Sequence, residues 1–433
     1  MSSITEPHPE RPSMSSPTSA LTVRAQRARA HAPQLSGLAA FAAVAAVIAV
    51  AFYASATPSP LYGVYQARWH FSTPVLSLVY ATYAIGVLVS LLLVGSLSDQ
   101  VGRRPVLAWS LLGLLVSALV FATASSVGWL FAARAVQGLA TGGALGAAGA
   151  ALIDLHPTTN TRTAALVNGV VALGGLGVGA LLSSVLVQFL PAPRELPFAV
   201  VAAMIVLLLV LVRALPEPVS RAGRVTVRPQ RPNIPRETRE PFALAALGVV
   251  GSWSIAGVYL ALGPVLAGHL LHTHGELAGG VSTAALLGSG ALAQFAGRNR
   301  DNRTLTVAGS VLVAVGMALT ATAVAVGSAA FFLAASALAG VGFGLAFMGS
   351  LRHLTSAMPA DRRAEVMSAF YVVGYLSLAL PAVAAGIVAS AVGVSETFEL
   401  FSAGVIVIAL VVAAGGRRIP DPAAPATAWT APA

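Results

Sequence analysis

From residue 37 onward the sequence breaks into twelve apolar stretches, most of them close to the 20 or so residues a helix needs to cross a hydrocarbon core. They run over 37–56, 75–94, 105–124, 129–153, 164–190, 198–212, 242–267, 277–295, 305–326, 329–350, 366–392 and 398–414. The runs are continuous, without the in-and-out alternation of barrel strands, so they predict helices. With 57% hydrophobic and only 9% charged side chains, the chain has too few charges to cover a water-exposed surface. The expected class is an all-α integral membrane protein. Its 42 glycines fit this reading, because small residues let membrane helices approach closely. The lack of cysteine excludes disulfides, iron–sulfur clusters and thiol chemistry.

The net charge of +10 comes with a definite geography. All 25 basic residues are arginine, and positive loop residues are retained on the cytoplasmic side of a membrane. Placing both termini in the cytoplasm puts nearly every arginine there, including Arg103, Arg104, Arg162, Arg298, Arg352, Arg362 and Arg363, and leaves only Arg68 and Arg194 outside. The positive charge then faces anionic lipid of the bilayer, and nucleic acid is not needed to explain it.

Residues 1–36 are rich in Ser, Pro, Ala and Arg and lack the apolar core of a signal peptide, so they are expected to be a disordered cytosolic tail. The stretch 213–241, with many arginines and prolines, is too polar to span and is expected to be a cytosolic linker. It separates six-helix halves over 37–212 and 242–414, and 415–433 forms a second cytosolic tail. A constant shift of 202 residues superposes Gly95 on Gly297, Asp99 on Asp301, Gly138 on Gly340, Gly142 on Gly344, Leu152 on Leu354 and Pro157 on Pro359. One offset serving two separated regions points to a duplication, with parallel halves related about the membrane normal.

Between the second and third stretches lies Gly95-Ser-Leu-Ser-Asp99-Gln-Val-Gly102-Arg103-Arg104. Gly95 allows close helix approach, Gly102 suits a tight turn, and Asp99 beside two arginines can form charge-assisted pairs at a helix end. The second half keeps only Gly297 and Asp301 of this set. In the fourth stretch, Arg134, Gln137, Gly138 and Gly142 follow Leu130. An arginine within hydrocarbon is costly enough to be a functional candidate by default. Together these two motifs resemble those of the major facilitator superfamily in its bacterial twelve-helix form. The resemblance covers 37–414.

The resemblance implies a transporter of a small-molecule substrate, with a proton or other ion as a coupling partner, in the bacterial inner membrane and acting as a monomer. It implies that Gly95, Asp99, Gly102, Arg103 and Arg104 form a conformational latch, with Gly297 and Asp301 as a weakened copy, and that Arg134, Gln137 and Gly138 act at the cavity in binding or coupling. The chain departs from the family in its fifth helix, where 162–190 has five glycines but no proline. The glycine-proline motif associated with antiport is therefore missing.

None of the 15 acidic residues falls mid-helix, and no histidine does, so a buried titrating group of the usual proton-coupling kind is absent from the spans. Polar and aromatic residues that could line a transport path are Tyr53, Tyr83, Asn168, Trp253, Tyr259, Tyr371 and Tyr375, with Tyr80 beside them. His269, His272, His274 and Glu276 fit no standard zinc spacing, so no metal and no cofactor is expected. A membrane enzyme or sensor would need clustered carboxylates or histidines that the chain lacks. What remains is secondary transport, as an efflux permease or, alternatively, as an uptake system for an organic anion or sugar.

Overall fold

The computed structural model describes residues 35–94, 97–158, 160–217, 232–271, 277–359 and 362–420. Its long helices are α1 (Gly37–Ala56), α3 (Thr73–Val94), α5 (Arg103–Ala122), α6 (Val127–Asp154), α7 (Thr161–Phe189) and α8 (Leu196–Arg213) in the first half. In the second they are α9 (Arg239–Leu271), α10 (Leu277–Ala296), α11 (Asn302–Val326), α12 (Ala329–Ala357), α13 (Arg363–Val392) and α14 (Val394–Gly416). Two short helices, α2 (Tyr62–Trp69) and α4 (Leu97–Val101), lie in connections where the apolar pattern predicts none. Eleven of the long helices are long and apolar enough to cross a membrane. The remaining one, α10, has the same 20-residue length as α1 but is diluted by glycine, serine and Gln294.

Helix starts follow local capping chemistry. Asn160 accepts a hydrogen bond from the Thr163 backbone N–H at 3.0 Å, and Asp301 accepts one from Thr304 at 2.7 Å, each supplying a partner to an otherwise orphaned donor. Hydropathy ends the tenth span at residue 350, whereas α12 continues to Ala357. Backbone hydrogen bonding does not stop at the first charged side chain, and Arg352 is therefore a helical residue, half-buried, where the sequence places it in a loop.

The two halves repeat one packing scheme. In the first, α6 packs on α3 and α5, α1 on α6, α7 and α8, and α5 on α8. In the second, α12 packs on α10 and α11, α9 on α12, α13 and α14, and α11 on α14. These are the same pairs shifted by six long helices. The halves meet along α7 with α10 and along α3 with α13, again an equivalent pair.

Glycines make these approaches possible. A Cβ at Gly138 would stand 3.0 Å from Gly86 Cα and collide with Tyr83 O on α3, and one at Gly142 would stand 2.7 Å from Val87 O. Their repeat mates do the same work: Gly340 meets Leu286 O and Gly344 meets Gly290 O on α10. Lipid tails are as apolar as leucine, so such contacts hold helices by dispersion and fit. The glycines of α7 face two ways, Gly175 and Gly179 against Ala49 and Tyr53 of α1, Gly169 and Gly177 against Gln294 and Gly288 of α10.

Candidate functional site

A cavity of about 580 Å³ lies between the halves, lined by α1, α3, α6 and α7 from one and α9, α10, α12 and α13 from the other. It runs from a deep end at Ser55, Tyr80, Leu260 and Leu378 to Arg352, Thr355 and Ala364, at the helix ends that form the arginine-rich face. The opposite face is sealed between halves by small residues. Ser59 Oγ donates to Leu260 O, Gly280 sits on Ser184, and Gly386 sits on Ser77. Within the first half, Ser183 Oγ donates to Thr57 O at 2.6 Å. Among the described residues, the halves are thus in close contact at the end opposite the mouth of the cavity.

Of the lining residues expected from sequence, Tyr83, Asn168, Trp253, Tyr371 and Tyr375 reach the cavity, as does Tyr80. Tyr53 and Tyr259 do not. Tyr53 is 3% exposed in α1, where its backbone is pressed against Gly179, and the Tyr259 hydroxyl is hydrogen-bonded at 2.8 Å to Ser336 inside the second half. Both lie on helix faces turned into their own bundle, an azimuth that an all-apolar helix does not advertise in its sequence. The wall also includes Gln294 and Arg352, which sequence reasoning missed. Met348, Leu351 and Thr355, at helical spacing around Arg352, line the same wall.

Arg134 is placed inside the first half. It is 0% exposed and does not line the cavity. Its Nε donates to Tyr62 Oη at 2.7 Å, Nη2 donates to the same oxygen, and Nη1 donates to Ser55 O at 2.8 Å and to Gln137 Oε1 at 2.6 Å. Gln137 in turn donates to Ala54 O at 2.9 Å. The rings of Tyr80 and Tyr83 lie 5.8 and 5.4 Å from the guanidinium carbon, between it and the cavity they line. A buried charge needs its donors satisfied, and here the first half satisfies them internally. Gly138, on the same helix, is a packing residue against α3.

At the arginine-rich face, Gly102 has φ of +108°, and a Cβ there would come within 2.6 Å of the Glu217 carboxylate. That carboxylate accepts from the backbone N–H of Arg103 at 2.9 Å and of Arg104 at 3.0 Å, placing an anion on the N-terminus of α5. The Arg103 side chain pairs with Asp99, donates to Ser98 at 2.7 Å and reaches Asp154 at 3.1 Å. The Arg103 side-chain partners Ser98, Asp99 and Asp154 belong to the first half, and Glu217 to the connection that follows it. Gly95 lies outside the described residues, as do His272, His274 and Glu276. In the second half Gly297 packs under Leu345, and Asp301 caps α11. The Thr304 backbone N–H holds the Asp301 carboxyl below its usual range.

Comparison with known proteins gives the same architecture. The chain is 27% identical over 199 residues to an uncharacterized MFS-type transporter, YceJ, of Bacillus subtilis, spanning 44% of this chain and 47% of that one. It is 32% identical over 138 residues to the class H tetracycline resistance protein of Pasteurella multocida, spanning 32% and 33% of the two chains. It is also 32% identical over 133 residues to the gentisate transporter of Corynebacterium glutamicum, spanning 29% and 30%. The matched segments thus cover less than half the length of these relatives. A crystal structure of the nucleoside transporter NupG superposes with a TM-score of 0.64 at 12% identity, covering 87% of this chain and 99% of that one, a likeness of fold. The family model of the Major Facilitator Superfamily matches residues 44–382, and the chain belongs to that superfamily.

Proposed function

We propose that this chain is a secondary active transporter that exports a small organic solute across the bacterial inner membrane by alternating access, with its arginine-rich face in the cytoplasm. The observation that carries the reading is the cavity of about 580 Å³ between two equivalent half-bundles, with close contacts between the halves at the end opposite its mouth among the described residues. Rocking of 37–212 against 242–414, joined by 213–241, would exchange the open and sealed faces. A single chain supplies all eight lining helices, so a monomer suffices. The apolar, aromatic wall suits a lipophilic solute entering from the cytoplasm.

The test is export in proteoliposomes loaded with aromatic solutes, with a proton or sodium gradient imposed or collapsed. Gradient-dependent movement toward the face opposite the arginines is expected. Equal passive movement with and without the protein would overturn the reading.

A further inference from the structure

We propose that the mouth of the cavity is an anion site and that the transported solute is an amphipathic organic carboxylate, its charged group held by Arg352 and Arg162 and its aromatic body in the cavity. This rests on the transport reading above and specifies its substrate class.

Arg162 of α7 and Arg352 of α12 come from different halves, yet both donate to one acceptor, Arg298 O, at 2.8 and 3.2 Å. Two guanidinium nitrogens are therefore held within about 6 Å of each other, where like charges repel. Among the described residues neither is ion-paired to a carboxylate; the pairs present involve Arg103, Arg194 and Arg362. One carbonyl cannot neutralise two positive charges. A carboxylate can, with guanidinium forks on both sides.

The cavity wall points the same way. Arg352 is its one charged residue among those described, and no acidic side chain lines it. A cation entering this low-dielectric space meets no counter-charge, whereas an anion is drawn to the mouth. The charge is one-sided, because the repeat mate of Arg352 is Ala150, which lines the same mouth. Behind it Trp253 packs edge-on to Tyr375 at 5.1 Å, with Phe343 and Tyr371 alongside, offering faces on which a planar apolar body can stack. At the deep end the Tyr80 ring closes the wall, with its buried hydroxyl left without a hydrogen-bond partner among the described residues.

The experiment uses purified full-length protein in nanodiscs of zwitterionic lipid and follows quenching of tryptophan fluorescence by 2-naphthoate, by its uncharged amide and by 2-naphthylmethylammonium. Naphthoate should bind at least tenfold more tightly than the amide or the ammonium, with a preference that shrinks as salt rises. Arg352→Gln should abolish that preference while leaving amide binding unchanged, which also reports an intact fold. Arg352→Lys should restore only part of it, and Arg162→Gln should reduce it several-fold. Arg417→Gln should leave it intact. Inorganic phosphate and vesicles of anionic lipid serve as competitors: displacement of naphthoate by either without the aromatic body would show a bare anion or headgroup site and overturn the substrate assignment. Equal binding of naphthoate and amide, a preference untouched by Arg352→Gln, or no binding of naphthoate would each overturn the proposal. Export of uncharged solutes in the proteoliposome assay would still stand, so the two failures are distinguishable.

Discussion

Arg134 Nε stands 2.7 Å from Tyr62 Oη, and the pair joins α6 to the short helix α2 at the sealed end of the molecule. An arginine within a membrane helix costs about 2.5–3.5 kcal/mol on insertion scales. The Tyr62 hydroxyl, Ser55 O and Gln137 offset that cost and fix the position of Tyr80 and Tyr83, which face the cavity. Tyr62→Phe deprives two guanidinium N–H groups of their acceptor and is expected to destabilise the first half by about 1–3 kcal/mol. The measure is the thermal midpoint in detergent. Arg134→Lys should be as damaging, since an ammonium cannot span three acceptors, and an unchanged midpoint in both variants would contradict the structural role.

Equivalent glycines should fail equally. Gly138→Ala and Gly340→Ala each push a methyl group into the backbone of the neighbouring helix, and overpacking of this kind costs about 1–3 kcal/mol. Similar losses in both halves are expected, read as folded yield and midpoint. A loss confined to one half would break the functional equivalence of the repeat mates.

The Gly102 turn should be intolerant of any side chain. Gly102→Ala meets both an unfavourable φ of +108° and the Glu217 carboxylate, and strain at such positions is of order 1–3 kcal/mol. Glu217→Gln keeps the shape and loses the charge at the α5 N-terminus, worth about 0.3–1 kcal/mol. The expected order of destabilisation is therefore Gly102→Ala above Glu217→Gln, checked by denaturation of the two proteins side by side.

Asp99 is 62% exposed in its pair with Arg103, and pairs of that kind contribute about 0–1 kcal/mol to stability. Asp99→Asn and Asp154→Asn should thus leave the thermal midpoint nearly unchanged. If the cluster acts in switching, each should reduce transport severalfold and the double variant no further, because both act through Arg103. Additive losses would separate the two carboxylates.

The absence of cysteine makes the sealed face directly testable. Ser184→Cys with Gly280→Cys, and Ser77→Cys with Gly386→Cys, place thiols across the boundary between halves, where the Cβ positions stand 2.6 and 2.8 Å apart and the helices must part by about 1 Å to reach the spacing of a disulfide. Oxidation should join each pair and arrest transport, and reduction should restore it. Free transport in the cross-linked protein would rule out opening at that face.

The sequence by itself determined the class, the twelve long helices and their division into two repeats. Those properties rest on hydropathy over about 20 residues and on the offset shared by Gly138 with Gly340, both local or periodic quantities. Which way each helix faces was a different matter. In helices apolar on every side, rotation about the axis leaves no trace in the pattern, so only tertiary packing turned Tyr83 and Tyr375 toward the cavity and Tyr53 and Tyr259 away from it. The same packing decided the arginines. Arg134 is rare enough in its helix to stand out in the sequence, but whether it met a solute or a tyrosine depended on α2, a short helix without an apolar signature. Arg352 is ordinary in sequence, and it became the one charge in the cavity wall among the described residues because α12 runs past the apolar stretch and brings it beside Arg162 of the other half.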